Sequence, residues 1–363
     1  MHSHHLLQPR SNPSLLTIVV PAYNEEEILP ALRARLEGFF ATLSCPVELV
    51  IVNDGSTDRT LELLVEWART DPRIHVLGLA RNFGHQAAVT AGLDVATGDA
   101  IVILDADLQD PPEVILDMLA KYREGYEVVY GQRTSREGES LLKRFTAWSF
   151  YRLMRTFVYR DLPPDTGDFR LVSRRCLEAL GAMRETHRFI RGMVAWVGFA
   201  QTAVPYQRSA RAAGESKYPF RKMLRFAWTA AISFSPLPLR VALGLGVLIA
   251  SSGLLFGAYV LLGRLFHWFT PAPGYSSMVV LISLVGGAIL ISNGILGEYI
   301  GRIFEETKGR PLYVVGTRAN FPNDAAMRRL QPPAAASPVR PSLEIMVNSK
   351  TFSRDTSSLV SET

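Results

Sequence analysis

The stretch Ile101–Glu113, I-V-I-L-D-A-D-L-Q-D-P-P-E, places four apolar residues directly before two carboxylates that are one residue apart. An apolar run of this length, bounded by turn-forming residues, is typical of a buried strand. Asp105 and Asp107 then lie where the strand gives way to a loop. Asp110 is predicted to cap the next helix, which the two following prolines open. The stretch therefore predicts a strand that presents two acids at its carboxyl end.

Asp105 and Asp107 are candidate metal ligands, although two such acids can also do no more than cap and solubilise a turn. Two carboxylates ~4 Å apart repel each other by roughly 4 kcal/mol at an effective dielectric constant of about 20. A divalent cation between them removes that repulsion. Oxygen-only ligands suit Mg²⁺ or Mn²⁺, and Mg²⁺ usually takes further oxygens from a substrate phosphate.

The region from Leu16 to about Gly131 alternates short apolar runs with helical patterns. Strands are predicted at 16–20, 47–53, 74–79, 100–104 and 127–131, and helices at 26–40, 58–69, 85–96 and 112–123. This alternation predicts an α/β fold with a parallel sheet that is covered by helices on both faces. Ligands bind such sheets beyond the carboxyl ends of the strands.

A polar cluster follows each of the first four predicted strands. The clusters are Pro21-Ala-Tyr-Asn-Glu-Glu, Asn53-Asp-Gly-Ser-Thr-Asp, Arg81-Asn-Phe-Gly-His-Gln and the D-A-D itself. We expect them to converge on one pocket. Asp54 can accept hydrogen bonds from a base or ribose, or only shape a turn, and Arg81 is either a cation beside a phosphate or a surface residue. No G-x-x-x-x-G-K-[ST] occurs, which excludes a P-loop, and no G-x-G-x-x-G follows the first strand, which disfavours the usual dinucleotide fold.

The chain has 363 residues and a net charge of +5, which suits an anionic partner. Two stretches without charged residues, Val241–Leu262 and Ser276–Leu296, favour a membrane over nucleic acid as that partner. Each has the ~20 residues that a helix needs to cross a bilayer; helices buried in a soluble fold are the alternative. Lys and Arg are dense before the first stretch and recur after the second. The positive-inside rule then predicts a two-helix transmembrane hairpin in the inner membrane, with the sheet domain and both termini in the cytoplasm.

Two further stretches, 141–160 and 218–235, mix basic and aromatic residues and predict helices that lie in the membrane interface. For the first, a helix packed on the sheet is the alternative. The basic loop 208–217 either closes on a diphosphate or is a solvated linker. Asp168, in an acid-glycine loop, is a candidate base or ligand, and Cys45 and Cys176 are expected to be free thiols.

The predicted regions are a disordered N-terminus (1–15), the catalytic domain (16–217), an interfacial helix (218–235), the hairpin (236–300), a membrane-proximal segment (301–317) and a disordered tail (318–363).

Taken together, these motifs resemble the glycosyltransferase family 2 polyprenyl-phosphate glycosyltransferases, especially bactoprenol glucosyltransferases and dolichol-phosphate mannose synthases. The resemblance covers about Leu16 to Val315. Its motifs are V-V-P-A-Y-N-E-E, V-N-D-G-S-T-D, R-N-F-G-H-Q, D-A-D-L-Q-D-P-P-E, D-T-G-D-F-R-L, G-E-S-K-Y and N-G-I-L-G-E-Y-I-G-R.

The resemblance implies a GT-A nucleotide-sugar fold and an inverting transfer of a hexose to polyprenyl (undecaprenyl) phosphate, with Mg²⁺ or Mn²⁺ as cofactor. UDP-glucose is the favoured donor; other UDP-hexoses, GDP-mannose and a UDP-aminoarabinose derivative stay open. A homo-oligomer is expected, and a downstream flippase and a second glycosyltransferase are candidate partners. The motifs place Pro21, Tyr23, Glu25 and Asp54 around the nucleotide, and Asp105 on the side of the ribose and diphosphate. The metal would be held by Asp107 together with Asp105 and Gln109. Asp168 would face the acceptor, and Lys217 would contact the phosphates together with either Arg208 or Arg211.

The nucleophile in such a reaction is a lipid phosphate oxygen. Its second pKa of about 6 leaves it largely ionised at neutral pH. Asp168 is therefore expected mainly to orient the acceptor rather than to act as a strong base.

Two other functions are alternatives. A processive polysaccharide synthase shares the D-x-D, but such enzymes also carry Q-x-x-R-W, which this sequence lacks. A non-catalytic membrane sensor of nucleotide sugars, or an accessory subunit of a flippase, would not need every acid of the predicted pocket.

Overall fold

The computed structural model describes residues 7–134, 166–207, 237–266 and 274–321. The strands are β1 (Leu16–Ala22), β2 (Val47–Asn53), β3 (Ile74–Leu79), β4 (Ala100–Ile103), β5 (Val128–Arg133), β6 (Thr166–Ser173), β7 (Gln201–Tyr206) and β8 (Val315–Ala319). The helices are α1 (Leu29–Phe40), α2 (Thr60–Thr70), α3 (His85–Val95), α4 (Val114–Arg123), α5 (Arg174–Ala182), α6 (Ile190–Val197), α7 (Leu237–Leu265) and α8 (Tyr275–Thr307).

All eight strands form one sheet in the order β7-β5-β6-β4-β1-β2-β3-β8. The central strands β4, β1, β2 and β3 are parallel, as the sequence predicts. The five strands predicted between residues 16 and 131 run in the same direction, but the whole sheet is mixed, because β6 lies antiparallel between β4 and β5, and β8 lies antiparallel beside β3. The alternation of apolar runs with helical patterns does not predict the order of the strands in the sheet, so the insertion of one strand between two others is not visible in it.

The register between β4 and β6 has a direct consequence for the site. Ala100 pairs with Ser173 and Ile103 pairs with Arg170. When this antiparallel register is continued for two residues past the end of β4, Asp105 lies opposite Asp168. The inserted strand therefore brings together two acids that are far apart in the sequence.

Alternate residues of β1 supply both cores of the domain. Ile18 and Val20 belong to the cluster that includes α1, α2 and α4, and Val19 belongs to the cluster with α3, α5 and α6. Full burial of such an aliphatic side chain contributes roughly 1.5–3 kcal/mol. A Cβ on Gly92 would lie 2.3 Å from the Val19 Cγ1 atom, so α3 packs closely on β1. Helices cover both faces of the sheet, as predicted.

Asp110 is not the cap of α4. The helix begins at Val114, and its N-cap residue, Glu113, makes no capping bond with its side chain. Asp110 is buried and accepts a hydrogen bond from the Tyr206 hydroxyl, and Arg133 lies 4.0 Å from the same carboxylate. The acid therefore ties β7 to the loop after β4.

Two segments that the sequence predicts to be disordered are ordered in part. Disorder is wrong for residues 7–15, where Arg10 donates from its backbone to Arg123 and from its guanidinium to Glu127 at 3.1 Å. It is also wrong for residues 318–321, where β8 pairs with β3 and the Asn320 side chain donates to the Ile74 carbonyl at 2.8 Å. Backbone pairing at a sheet edge needs little apolar patterning, which explains why the sequence did not reveal it.

The two uncharged stretches both form long helices, α7 and α8. Within the described residues, one helical stretch, Leu284–Thr307, is long and apolar enough to cross a membrane, and none of it is buried within the protein. The predicted pair of spans at 241–262 and 276–296 therefore stays a prediction. The predicted interfacial helices at 141–160 and 218–235 lie outside the described residues.

The two cysteines are free thiols, as predicted, and they differ in accessibility. Cys176 has no exposed surface, and burial raises its pKa to about 12. Because the thiolate is the reactive form, we expect alkylation at pH 8 to modify Cys45 in the folded protein and to leave Cys176 untouched. Burial also raises the pKa of Cys45, which is only partly exposed, so its reaction should be slower than that of a free thiol. Mass spectrometry after timed alkylation, with a urea-unfolded sample as the positive control, checks this; equal rates in native buffer would contradict it.

Candidate active site

The loops after β1 and β2 are locked together by hydrogen bonds. Asn24 has a φ of 54°, and its side-chain oxygen accepts the Thr57 backbone N–H at 2.9 Å, while its own N–H donates to Ser56 at 3.0 Å. The Glu25 backbone N–H donates to the Thr60 hydroxyl at 2.9 Å. The two predicted polar clusters thus form one surface at the carboxyl edge of the sheet.

The nucleotide candidates on this surface differ in exposure. Tyr23 is 44% exposed and can offer its ring to a base, whereas Pro21 is buried at the end of β1. Asp54 is only 3% exposed. Its two carboxylate oxygens accept the backbone N–H groups of Phe83 at 2.8 Å and Gly84 at 2.9 Å. Burial raises the pKa of Asp54, against the effect of these two bonds.

Asp54 therefore shapes the loop before α3, and its contact with the nucleotide stays a prediction. The same loop carries Arg81, whose guanidinium carbon stacks 4.2 Å from the centre of the Phe83 ring. Arg81 is exposed at the edge of the sheet, which leaves it accessible to an anionic ligand.

Gly55 fits where no side chain can. Its φ is +66°, and a Cβ would lie 2.3 Å from the Arg81 carbonyl carbon. We expect Gly55→Ala to lower the free energy of unfolding by about 2–4 kcal/mol, since backbone must move on one side or the other. The matched control is Gly38→Ala in α1, where a Cβ meets nothing within 4 Å; it should gain roughly 0.5–1 kcal/mol. Chemical denaturation of both variants tests the contrast, and equal stability of the two would contradict it.

The acids after β4 lie on a tight turn. Leu108 has a φ of 55°, a conformation that costs a non-glycine residue about 1–2 kcal/mol, and the Gln109 backbone N–H donates to Asp107 at 3.1 Å. The turn bends the chain immediately after the two acids. Burial raises the pKa of Asp105 to about 6, and the nearby carboxylates of Asp168, Asp110 and Asp107 add to that rise. Negative charge is thus concentrated at a point that a cation would stabilise.

The oxygen donors at this turn fit a divalent cation that is completed by substrate. Within the described part of the chain, no group of three or more His, Cys, Asp and Glu residues is assembled for a metal. Asp105 and Asp107 would hold the ion together with diphosphate oxygens and water, which is how Mg²⁺ is usually bound. Gln109 belongs to the same turn.

Asp168 is held by Arg191 and His85. Arg191 approaches it with Nε at 2.7 Å and a second nitrogen at 3.1 Å, and His85 Nε2 lies 3.1 Å away. Burial alone would raise the pKa of Asp168, but the hydrogen bond from His85 and the charge of Arg191 hold it well below its usual range. His85 also lies 3.9 Å from Asp105, so it stands between the two acids.

A cleft of about 540 Å³ opens beside Asp168. Its polar lining includes His85 and Arg191, and its apolar lining includes Phe83, Phe189 and Leu312. Leu312 follows the end of α8, so the cleft runs from the acids toward the apolar helix. A larger cleft of about 670 Å³ lies at the opposite edge of the sheet, around Arg10, where the strands begin, and is remote from these acids.

Known proteins are similar to this chain in sequence. The uncharacterized glycosyltransferase YkcC of Bacillus subtilis is 48% identical over 299 residues, which are 82% of this chain and 92% of the relative. The bactoprenol glucosyl transferase of Shigella phage SfX is 40% identical over 303 residues, 84% of this chain and 99% of the relative. The family model for glycosyl transferase family 2 matches residues 17–181. The chain belongs to glycosyl transferase family 2.

This family membership makes the protein an enzyme of the hexosyltransferase class with a GT-A type fold and a mixed sheet. Among solved structures, the mannosyltransferase PcManGT from Pyrobaculum calidifontis, in complex with GDP-Man and Mn²⁺, covers 79% of this chain and 89% of its own at 18% identity, with a TM-score of 0.38.

Some residues of the glycosyltransferase site were not singled out from the sequence. His85 lies within the R-N-F-G-H-Q motif, so its position at a strand end was the available signal. Arg191 lies in a helix with no motif of its own, and only the three-dimensional pairing with Asp168 identifies it. Arg208, Arg211 and Lys217, predicted near the phosphates, lie outside the described residues.

Proposed function

We propose that this glycosyltransferase moves a glucosyl group from UDP-glucose to polyprenyl (undecaprenyl) phosphate at the cytoplasmic face of the membrane, with inversion at the anomeric carbon. The relatives that carry the name bactoprenol glucosyl transferase support the acceptor and the sugar. The observation that carries the proposal is the cleft that begins at Asp168, opposite Asp105, and reaches Leu312, which follows the end of the apolar helix α8.

On the donor side, the surface around Tyr23 would receive the base, and Asp105 and Asp107 would hold a divalent cation against the diphosphate. When bound, the cation supplies charge neutralisation for the departing diphosphate. Arg81, exposed at the same edge, would add a positive charge beside it. These groups together favour cleavage of the bond between the anomeric carbon and the diphosphate oxygen.

On the acceptor side, an ionised phosphate oxygen of the lipid would attack the anomeric carbon from the face opposite the diphosphate. A new carbon–oxygen bond forms as UDP leaves, and no proton has to be removed from the nucleophile. Asp168 is ionised and held by Arg191 and His85, which suits a group that orients the acceptor and its cationic partners.

The helices after the catalytic domain support the membrane placement. Leu284–Thr307 would hold the site at the depth of a lipid phosphate, and the proposed arrangement has α7 as a second span, with the catalytic domain and both termini in the cytoplasm. Self-assembly, a downstream flippase and a second glycosyltransferase stay predictions.

The test is to incubate membranes that contain the protein with labelled nucleotide sugars, polyprenyl phosphate and Mg²⁺. We expect label from UDP-glucose to enter the organic phase, one sugar per lipid, and label from GDP-mannose to stay in the aqueous phase. Membranes with the Asp107→Asn variant serve as the control. Lack of transfer from every donor, or formation of a water-soluble polymer, would contradict the proposal.

A further inference from the structure

The loop between α5 and α6, residues 183–189, leads directly into the acceptor side of the site. Its next residue, Ile190, donates its backbone N–H to the Gln86 side chain at 3.0 Å, and Gln86 Nε2 in turn lies 3.5 Å from Asp168. Arg191, the residue after Ile190, donates hydrogen bonds to Asp168 from two nitrogens. Because such a two-nitrogen contact requires a defined orientation of both groups, a shift of the α5–α6 loop would change how Asp168 is held.

The same loop is bound by the last turn of the apolar helix α8. The Thr186 backbone N–H donates to Glu306 Oε2 at 2.9 Å, and His187 Nε2 lies 2.6 Å from Glu305 Oε2. Both glutamates are exposed, and contacts of this kind contribute little to overall stability. What they fix is the position of the loop relative to α8.

A second attachment holds the start of the loop and the chain that leaves α8. Asp94 on α3 is bonded to Arg184 at 2.8 Å and accepts the Tyr313 hydroxyl at 2.7 Å. Tyr313 follows Leu312, which lines the cleft. The α5–α6 loop therefore lies between α8 and α3, and its far end is the Arg191–Asp168 pair.

We propose that Glu305 and Glu306 are positioning residues for glycosyl transfer: by holding the α5–α6 loop, they keep Arg191 and Asp168 in the arrangement that the acceptor requires. The apolar helix thus aligns the acceptor side of the active site, in addition to keeping the enzyme at the lipid surface. This inference rests on the proposed function, since it concerns the use of the lipid acceptor.

The experiment compares two double variants in the full chain. Glu305→Ala with Glu306→Ala removes both acceptors, whereas Glu305→Gln with Glu306→Gln keeps a side-chain oxygen at each position. The control, Lys121→Ala with Glu124→Ala, removes an exposed ion pair of the same kind at the end of α4. For each protein, we would measure kcat and KM for the polyprenyl phosphate, the Kd for UDP and the thermal unfolding temperature.

A small displacement of catalytic groups can lower a rate by up to about 100-fold. We expect the double-alanine variant to lose about 10-fold in kcat/KM for the acceptor, with the Kd for UDP and the unfolding temperature unchanged. The double-glutamine variant should regain most of the loss, and the control should match the unmodified enzyme. Wild-type kinetics in the double-alanine variant, an equal loss in both glutamate variants, or a loss that accompanies weaker UDP binding and lower stability would overturn the inference. If the unmodified enzyme transfers nothing to polyprenyl phosphate, the proposed function has failed as well.

Discussion

Asp107→Asn is expected to lower the rate of sugar transfer by about 1,000-fold while the protein remains folded. Loss of a group that stabilises charge in the transition state typically costs 10²–10³ in kcat, and this substitution removes half of the charge that the D-A-D turn offers a divalent cation. An asparagine oxygen can still accept the Gln109 backbone N–H, so the turn itself should persist. The measurement is single-turnover transfer at saturating Mg²⁺.

Asp117→Asn is the matched control for that prediction. Asp117 is an exposed acid in α4, ten residues farther along the same strand–helix unit, and it makes the same change in net charge. It should transfer sugar at the rate of the unmodified enzyme. If Asp107→Asn kept more than about a tenth of the activity, the D-A-D turn would not be the metal site.

Asp168→Asn is expected to slow transfer by about 10- to 100-fold without abolishing it. The variant keeps the shape of the group but removes the charge that pairs with Arg191 and His85. If Asp168 orients the acceptor and takes no proton, the variant should keep part of its transfer rate at every pH between 6 and 8. Complete loss of transfer with intact donor binding would identify Asp168 as a required base.

Asp168→Asn is also expected to change the stability of the protein, and the direction of its pH dependence follows from the pKa of Asp168. The pKa of Asp168 is lower in the folded protein than in the unfolded chain, so its stabilising contribution is fully present above the unfolded pKa of about 4. The contribution is lost as the pH falls through the folded-state value. The stability difference between the two proteins should therefore shrink under strong acid, as urea denaturation at several pH values would show. Arg191→Lys, which keeps the charge but loses the two-nitrogen contact, should fall between them.

The central part of the sheet could be predicted from the sequence because its signals are local. The bounds of β2 and β3 agree with the apolar runs at 47–53 and 74–79 to the residue. The insertion of β6 between β4 and β5 could not be predicted, because antiparallel pairing between distant segments leaves no periodic pattern in either segment. β8 was missed for a similar reason: its edge position requires backbone hydrogen bonds rather than buried side chains.

The residues of the candidate site could likewise be predicted where the signal is local, and not where it depends on contacts between distant segments. The D-A-D turn can be predicted from the sequence, since two acids directly follow an apolar run. Asp110 was misjudged because a carboxylate can serve a distant hydroxyl as readily as a local helix, and only the fold shows which. Arg191 was missed because a cation on a helix gives no sign of the acid that it will meet.

The proposed reaction depends most on a cation that the acids after β4 hold for the diphosphate of the donor. Calorimetric titration of the purified enzyme with UDP, in Mg²⁺ and then in EDTA, measures this directly. We predict that UDP binds in Mg²⁺, and that binding is lost in EDTA and in the Asp107→Asn variant but kept in Asp117→Asn. Binding of equal affinity in EDTA and in Mg²⁺ would contradict the claim.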